Sequence, residues 1–339
     1  MKRFSSFLLP SLFLLGGLAT AQLPPVRTAN LYVGDFDNDR VVVYDETGTV
    51  LRSFTGPGLN GTRGICFLED GRFCVASQGT DSVLVFSRGE GYLATFSHPL
   101  LDEPTGMALS PSGELHVSSF GNGLVLVFDV VTGYQRAYTA PSLDTPNCVM
   151  FDSTGAIYVT SANQDAVFKF DASENFLFSF TGGGLDSPMG VARDANDCLY
   201  VAGGISNNIV KFQPDGTTVG QLNHPDLAAA QGVAFDERGH LFSTSFTLDH
   251  VVEFDATGSY VQTITAGGLD VPRSLAFQKP RRKNADAGGR TPQEVGPRAP
   301  LQQSNGPRPV PVGLLPLLTR VHLTRTFVEL SRALTAAAR

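Results

Sequence analysis

Two arginines occupy equivalent places in a series of residues that recurs along the chain. The mouth series is spaced by 42 residues and consists of Arg63, Thr105, Asn147, Met189, Gln231 and Arg273. A second series with the same spacing consists of Asp35, Ser77, Ser119, Ser161, Gly203 and Ser245. Guanidinium groups bind carboxylate, sulfate or phosphate through two parallel hydrogen bonds, so the arginines indicate an anion site. Alternatively Asp35 lies between them as a structural ion pair, which is the interpretation we favour for this aspartate.

The elements that carry these residues are short strands separated by turns. Four strands recur every 42 residues. The first is a segment rich in β-branched and aromatic residues, found at 31–33, 73–75, 115–117, 157–159, 199–201 and 241–243. An aromatic residue closes the next strand at Tyr44, Phe86, Phe128, Phe170, Phe212 and Phe254. A small residue begins another strand at Gly64, Gly106, Cys148, Gly190, Gly232 and Ser274. Four strands per repeat with turns between them predict an all-β protein, a six-bladed β-propeller of four-stranded blades over residues 30–278.

The phase of the repeat predicts how the ring closes. The first strand, at 31–33, has no innermost strand before it, and the last small-residue strand, at 274–277, has no blade after it. Pairing these two segments completes a sixth blade and removes two open sheet edges.

The segments 232–236 and 190–192, with the strands that follow them, resemble NHL repeats. In this sequence they read Gly-Val-Ala-Phe-Asp before Leu241-Phe242 and Gly-Val-Ala before Leu199-Tyr200. The resemblance covers about 250 residues and implies a six-bladed propeller. Similar propellers include amidating lyases, gluconolactonase-like lactonases, streptogramin lyases and non-enzymatic binding modules, and the fold does not choose among these.

A metal-dependent enzyme is the alternative to a binding module. The segment Thr145-Pro146-Asn147-Cys148 resembles the Pro-Asn-Gly of gluconolactonase-like enzymes, which implies Asn147 as a ligand of Ca²⁺ or Mg²⁺. The mouth lacks the carboxylates such a site needs apart from Asp35, so we predict no cofactor unless this alternative holds. Lyase chemistry favours histidines at the mouth, but His98 and His224 lie three blades apart, and we interpret both as ordinary surface residues. No catalytic residue is assigned.

Four cysteines in an exported chain invite a test for a disulfide. A hairpin loop at 69–71 places Cys66 directly opposite Cys74, and we predict a cross-strand disulfide between them, with two buried thiols as the alternative.

The termini differ from the ring in composition. Lys2, Arg3, an apolar run and Ala19-Thr20-Ala21 predict a signal peptide at 1–21, followed by a lead-in at 22–29. Residues 279–313 are rich in Pro, Gly and Arg and are predicted to be a disordered linker, and 314–339 form a basic tail with a possible helix. Whether this extension is functional, for example in membrane contact, or spurious stays open.

Charge limits the partners that the ring accepts. Residues 1–278 contain 14 Lys and Arg against 29 Asp and Glu, whereas 279–339 contain 11 against 3. An acidic exported ring repels nucleic acid. We therefore expect a secreted or periplasmic monomer that binds an unknown protein or small anionic ligand through Arg63, Arg273, Asp35, Asn147, Gln231 and Thr105.

Overall fold

The structure is a computed structural model that describes residues 29–278. The predicted signal peptide at 1–21, the lead-in apart from Ala29, the linker at 279–313 and the tail at 314–339 lie outside the described residues. Within residues 29–278 no helix is long and apolar enough to span a bilayer.

The described chain forms six four-stranded antiparallel sheets, which are the blades of a propeller. Blade 1 contains β1 (Asn30–Asp35), β2 (Arg40–Tyr44), β3 (Val50–Phe54) and β24 (Pro272–Gln278). Blade 2 contains β4 (Thr62–Phe67), β5 (Phe73–Ser77), β6 (Ser82–Phe86) and β7 (Tyr92–Ser97). Blade 3 contains β8 (Pro104–Leu109), β9 (Leu115–Ser119), β10 (Leu124–Asp129) and β11 (Gly133–Tyr138).

The second half of the ring repeats the same order. Blade 4 contains β12 (Pro146–Phe151), β13 (Ile157–Ser161), β14 (Ala166–Phe170) and β15 (Phe176–Phe180). Blade 5 contains β16 (Pro188–Arg193), β17 (Leu199–Gly203), β18 (Asn208–Phe212) and β19 (Thr218–Leu222). Blade 6 contains β20 (Ala230–Phe235), β21 (Leu241–Ser245), β22 (His250–Phe254) and β23 (Tyr260–Ile264). Two 3₁₀ turns, Gln78–Thr80 and Ala162–Gln164, follow β5 and β13.

The ring closes as the phase of the repeat predicts. Strand β24 pairs antiparallel with β1, with Leu31 opposite Phe277 and Val33 opposite Leu275. Because β24 is the innermost strand of blade 1, residues more than 230 positions apart in sequence share one sheet. The predicted fold and its closure are therefore confirmed.

The core lies between the blades. One cluster joins Cys66 and Val83 of blade 2 to Met107 and Val117 of blade 3, and similar clusters fill the other interfaces. The aromatic residues that close the third strand of each blade are at most 1% exposed; they are Tyr44, Phe86, Phe128, Phe170, Phe212 and Phe254. The chain has no tryptophan, and Tyr and Phe supply the large buried rings at this repeated position.

Aspartates in the turns tie each blade to the next. The turn residues Asp39, Asp81, Asp165 and Asp249 and the related Asn207 all have positive φ. The side-chain oxygen of Asp249 accepts the backbone N–H of Val271, 22 residues further on, at 2.8 Å. The other four make the same contact with the next blade. These side chains are clamps between blades.

The predicted disulfide is wrong, although the register behind it is right. Cys66 lies opposite Cys74 in the β4–β5 pair, but both are free thiols buried in the core between blades 2 and 3. Burial raises the pKa of the Cys66 thiol to about 12 and raises the pKa of Cys74 as well. Disulfide exchange requires a thiolate, so burial opposes oxidation of this pair.

Candidate functional site

The two arginines of the mouth series are neighbours on the innermost strands of blades 1 and 2. The Arg63 guanidinium lies 5.2 Å from the centre of the Phe36 ring, and that of Arg273 lies 4.8 Å from the same ring. Arg273 also lies 4.3 Å from the ring centre of Phe246. Aromatic faces attract guanidinium groups, and these rings hold the two side chains in place.

The structure assigns Asp35 to a different partner from the one we favoured. Its Oδ2 accepts a hydrogen bond from Arg40 Nε at 2.6 Å and another from Asn38, and its Oδ1 accepts the backbone N–H of Asp270 at 2.7 Å. Asp35 is fully buried, and these contacts use its carboxylate on the closing blade itself. The predicted Asp35 ion pair with Arg63 or Arg273 is therefore wrong, because Arg40 is adjacent on the paired strand β2.

Without Asp35, neither mouth arginine has a carboxylate at salt-bridge distance among residues 29–278. Arg63 is 6% exposed, and its Nε donates a hydrogen bond to Gln78 at 2.6 Å. Gln78 in turn donates to Glu103 at 3.4 Å, and this carboxylate acts on Arg63 only through space. The Nε of Arg273 is buried and has no hydrogen-bond partner in the described chain.

The charges of this pair oppose each other. Burial lowers the pKa of Arg63 to about 10, which still leaves it charged at neutral pH. The pKa of Arg273 is lowered by burial first and then by the charge of Arg63, with Asp37 acting in the opposite direction. Two like charges with little water around them are a destabilising arrangement, and an anion placed between them relieves it.

The other members of the mouth series behave differently from one another. Gln231 is 4% exposed and Asn147 is 8% exposed, and neither amide has a hydrogen-bond partner within the described range. The hydroxyl of Thr105 donates to the carbonyl of Pro146 on the next blade at 3.2 Å, so Thr105 joins blades rather than presenting a free hydroxyl. Met189 is buried over most of its surface.

Sequence reasoning missed a third series of mouth residues. Each follows directly after a member of the Asp35 series; this rim series is Phe36, Gln78, Phe120, Ala162, Gly204 and Phe246. It supplies both aromatic rings under Arg273 and the amide bonded to Arg63. The same 42-residue spacing identifies this series in the sequence, because the residue after a strand that ends at the mouth must also lie at the mouth.

The serines of the second series are structural. Ser77, Ser119 and Ser245 each accept a backbone N–H from the loop that leads to the innermost strand, and donate to carbonyls of that loop. Ser161 is also buried, but its hydroxyl has no partner in the described chain. None of these serines hydrogen-bonds a histidine or another base among residues 29–278, so they give no nucleophile.

The residues present do not fit a carboxylate-rich metal site. No three side chains of His, Cys, Asp or Glu are grouped closely enough for one ion anywhere in the described ring. Asn147 therefore has no carboxylate co-ligand of the kind that Ca²⁺ and Mg²⁺ prefer. His98 stacks on Tyr134 and His224 stacks on Tyr260, with ring centres 3.8 and 3.9 Å apart, on different blades.

Comparisons with known proteins show similarity of fold. No protein-family profile matches the sequence, and no curated protein matches it. A chain of the nidogen/laminin complex aligns with a TM-score of 0.64 and 17% identity, covering 74% of this chain and 98% of that chain. A protein of unknown function from Bacteroides caccae aligns with a TM-score of 0.61 and 14% identity, covering 75% and 100%.

A lyase has a similar structure. The catalytically inactive virginiamycin B lyase from Staphylococcus aureus, solved with quinupristin, aligns with a TM-score of 0.57 and 14% identity, covering 76% of this chain and 94% of that chain. At such identities the likeness shows the fold alone. The chain is a six-bladed β-propeller whose architecture occurs both in a lyase and in a protein–protein complex.

Proposed function

We propose that the protein is an exported propeller of the NHL type that binds a ligand or partner protein through an anionic group at its mouth. The observation that carries this proposal is the buried Arg273 Nε, which has no hydrogen-bond partner among residues 29–278, on a partly buried side chain beside the buried Arg63. A carboxylate, sulfate or phosphate supplies what these guanidinium groups lack.

The argument rests on the cost of the arrangement to the free protein. A buried charge without a partner weakens folding, and a second like charge nearby adds to the cost. Elsewhere in the ring, more exposed arginines pair with carboxylates, as Arg40 with Asp35 and Arg136 with Glu114. The departure at Arg63 and Arg273 is typical of a binding site.

The amides at the mouth support the same proposal. Gln231 precedes the innermost glycine of blade 6, next to Arg273 on the closing blade, and the residue as a whole is 4% exposed. An amide N–H₂ beside two guanidinium groups adds a donor to the site. We assign Gln231 to the anion site with Arg63 and Arg273, Thr105 to the blade beside Arg63, and Asn147 to the far side of the mouth.

The experiment measures thermal unfolding as sodium sulfate replaces sodium chloride at constant ionic strength. Sulfate raises the midpoint of any protein through preferential exclusion, so the informative quantity is the difference between the wild type and Arg273→Met. We expect the variant to lose the specific part of the rise, and sulfate affinity by titration calorimetry to fall at least about tenfold. Equal sulfate affinity in the wild type and the variant contradicts the proposal.

Stability without ligand separates a binding role from a structural one. Because Met keeps the packing on Phe36 and Phe246 and removes a strained charge, Arg273→Met is expected to leave the free energy of unfolding unchanged or raise it by about 1 kcal/mol. The matched control is Arg40→Met, which leaves the buried Asp35 carboxylate without its guanidinium and is expected to cost about 2 kcal/mol. A large loss of stability in Arg273→Met would instead indicate a structural arginine.

The alternative is a metal-dependent lactonase or lyase that uses the same face. Its support is the Pro-Asn segment at 146–147 and the fold shared with virginiamycin B lyase. Metal analysis of the purified protein, with a panel of lactone and lyase substrates with and without a chelator, tests it. A stoichiometric metal together with chelator-sensitive turnover would replace the binding module as the function.

We extend the proposal to the setting of the protein. We propose that it acts outside the cytoplasm as a monomer, without nucleic acid, and that any membrane contact comes from the basic tail. The supports are the signal-like segment at 1–21, the acidic ring and the Arg-rich residues after 279. Cell fractionation of the full chain and of a chain ending at residue 279 tests the location and the role of the tail.

A further inference from the structure

The mouth of the ring has two chemically different halves. Blades 6, 1 and 2 carry both arginines, two glutamines and the aromatic rings beneath them. At the equivalent positions of blades 3 to 5 the rim series has Phe120, Ala162 and Gly204, and the mouth series has the uncharged Thr105, Asn147 and Met189. Because equivalent positions on all blades face the same end of the ring, this contrast divides one binding surface.

Apolar side chains of the second half pack in one cluster, whose surface includes the partly exposed Phe120 and the largely buried Ala162 and Met189, which are 8% and 7% exposed. Phe120 of blade 3 packs against a cluster that includes Ala162 of blade 4 and Met189 of blade 5. Met189 extends over Gly204, where an added Cβ would lie 2.9 Å from its terminal methyl group. Gly204 thus leaves the space that the thioether occupies, and Phe120 keeps part of its ring exposed.

The axis of the ring offers little room below this surface. Neighbouring innermost strands touch through their backbones: a Cβ on Gly190 would lie 2.5 Å from the carbonyl oxygen of Gln231, and one on Gly106 would lie 2.6 Å from the Cα of Cys148. In a ring of six, the axis lies about as far from each strand as neighbouring strands lie from each other, so the channel is narrow. A ligand held by the arginines must extend sideways across the mouth.

We propose that the mouth binds an amphipathic organic anion. Its carboxylate, sulfate or phosphate is held by Arg63 and Arg273, and its apolar group lies on Phe120 and Met189. The inference rests on the proposed function, since it assigns the charged end to the same arginines. Charge complementarity fixes one end of the ligand, and burial of apolar area against aromatic and thioether side chains holds the other.

The test compares three probes by titration calorimetry at constant ionic strength: 4-phenylbutyrate, acetate and the neutral 4-phenylbutanol. We expect 4-phenylbutyrate to bind at least about tenfold more tightly than acetate, which is what burial of one aromatic ring supplies. The neutral alcohol lacks the charged anchor and is expected to bind more weakly than 4-phenylbutyrate.

Substitutions assign each end of the probe. Phe120→Ala is expected to reduce 4-phenylbutyrate affinity to about that of acetate while leaving acetate unchanged. Met189→Gln keeps the length of the side chain and is expected to act in the same direction, so the test does not depend on one variant folding. Arg273→Met is expected to abolish binding of both anions. The matched control is Phe176→Ala, on the outer strand β15, which is expected to change neither affinity.

The outcomes separate this inference from the function on which it rests. If 4-phenylbutyrate and acetate bind the wild type equally and Phe120→Ala alters neither, the apolar half takes no part and only the anion site stands. If neither anion binds the wild type, the anion site itself is wrong and the amphipathic ligand falls with it. Tighter binding of 4-phenylbutyrate that is lost in Phe120→Ala and Met189→Gln supports the inference.

Discussion

Single side chains decide the electrostatics of this ring, and His116 is the clearest case outside the mouth. It occupies the strand position that is Tyr32, Tyr158 and Tyr200 in other blades. His116 is 2% exposed, and its imidazole Nδ1 lies 3.1 Å from the hydroxyl of Tyr138. Burial lowers its pKa to about 4, with the charge of Arg136 contributing, so the folded protein holds a neutral imidazole.

We predict that His116 makes the protein less stable in mild acid. Above pH 6.5 the imidazole is neutral in both states and contributes nothing to the pH dependence. As the pH falls below 6.5, the unfolded chain takes up a proton that the folded chain does not accept until about pH 4, so the free energy of unfolding falls by about 2 kcal/mol by about pH 5.

Urea unfolding of the wild type and His116→Tyr near neutral pH and at about pH 5 measures this contribution. The variant carries the residue of the neighbouring blades, and it keeps the acid sensitivity of all other groups. The difference in stability between the two proteins should change by about 2 kcal/mol between the two conditions. Parallel pH profiles would show that His116 titrates normally in the folded state.

At the scale of the elements, hydrogen bonds from the turn aspartates join neighbouring blades. The repeat shows where these aspartates lie but not which groups they bind. Asp249 and Val271 both have positive φ, an unfavourable conformation for a β-branched residue such as Val271. The contact between the Asp249 carboxylate and the Val271 N–H holds the start of β24 in place. In blade 3 the clamp is replaced by Gly123, where a Cβ would lie 2.8 Å from the carbonyl oxygen of Leu143.

We predict that the clamp needs an acceptor oxygen rather than a charge. Asp249→Ala removes the acceptor and leaves an alanine at positive φ, so the free energy of unfolding should fall by about 2 kcal/mol. Asp249→Asn keeps both the acceptor and the tolerance of this conformation, as the natural Asn207 does, and should cost less than half as much. Urea unfolding of both variants checks this, and equal losses would show that the charge matters.

At the scale of the whole molecule, closure depends on close contact of the six innermost strands. The small residues at their starts, predicted from the repeat, are the positions where neighbouring backbones touch. Ser274 belongs to the same set, and its hydroxyl donates a hydrogen bond to the carbonyl of Arg63 across the closing seam. Contact at the axis and the β24–β1 pairing together complete the ring without a free edge.

We predict that a methyl group added near the axis lowers the free energy of unfolding, whereas one added at the outer edge of a blade does not. Gly190→Ala places its Cβ 2.5 Å from a backbone oxygen of blade 6, and we expect a loss of about 2 kcal/mol in the free energy of unfolding. Gly220→Ala, in the outer strand of the same blade, meets nothing within 4 Å and should change stability by less than about 0.5 kcal/mol. Similar effects of the two substitutions would show that the axis adapts.

The sequence by itself determined the repeat, the strands, the number of blades and the pairing that closes the ring. Each of these follows from local periodicity, because alternating burial and turn chemistry act within about ten residues. The sequence also placed Arg63 beside Arg273, since equivalent positions on adjacent blades must be neighbours. The rim series was equally periodic and was open to the same reasoning.

Only the tertiary structure decided which groups bind one another. In it, Asp35 binds Arg40, Arg273 Nε has no partner among residues 29–278, and Cys66 and Cys74 are thiols. The turn aspartates bind backbone N–H groups of the next blade. These outcomes depend on side-chain length and on burial between segments far apart in sequence. The period of a repeat carries no information about either. The period determines the backbone position of each side chain, and packing determines which groups its charged and polar atoms contact.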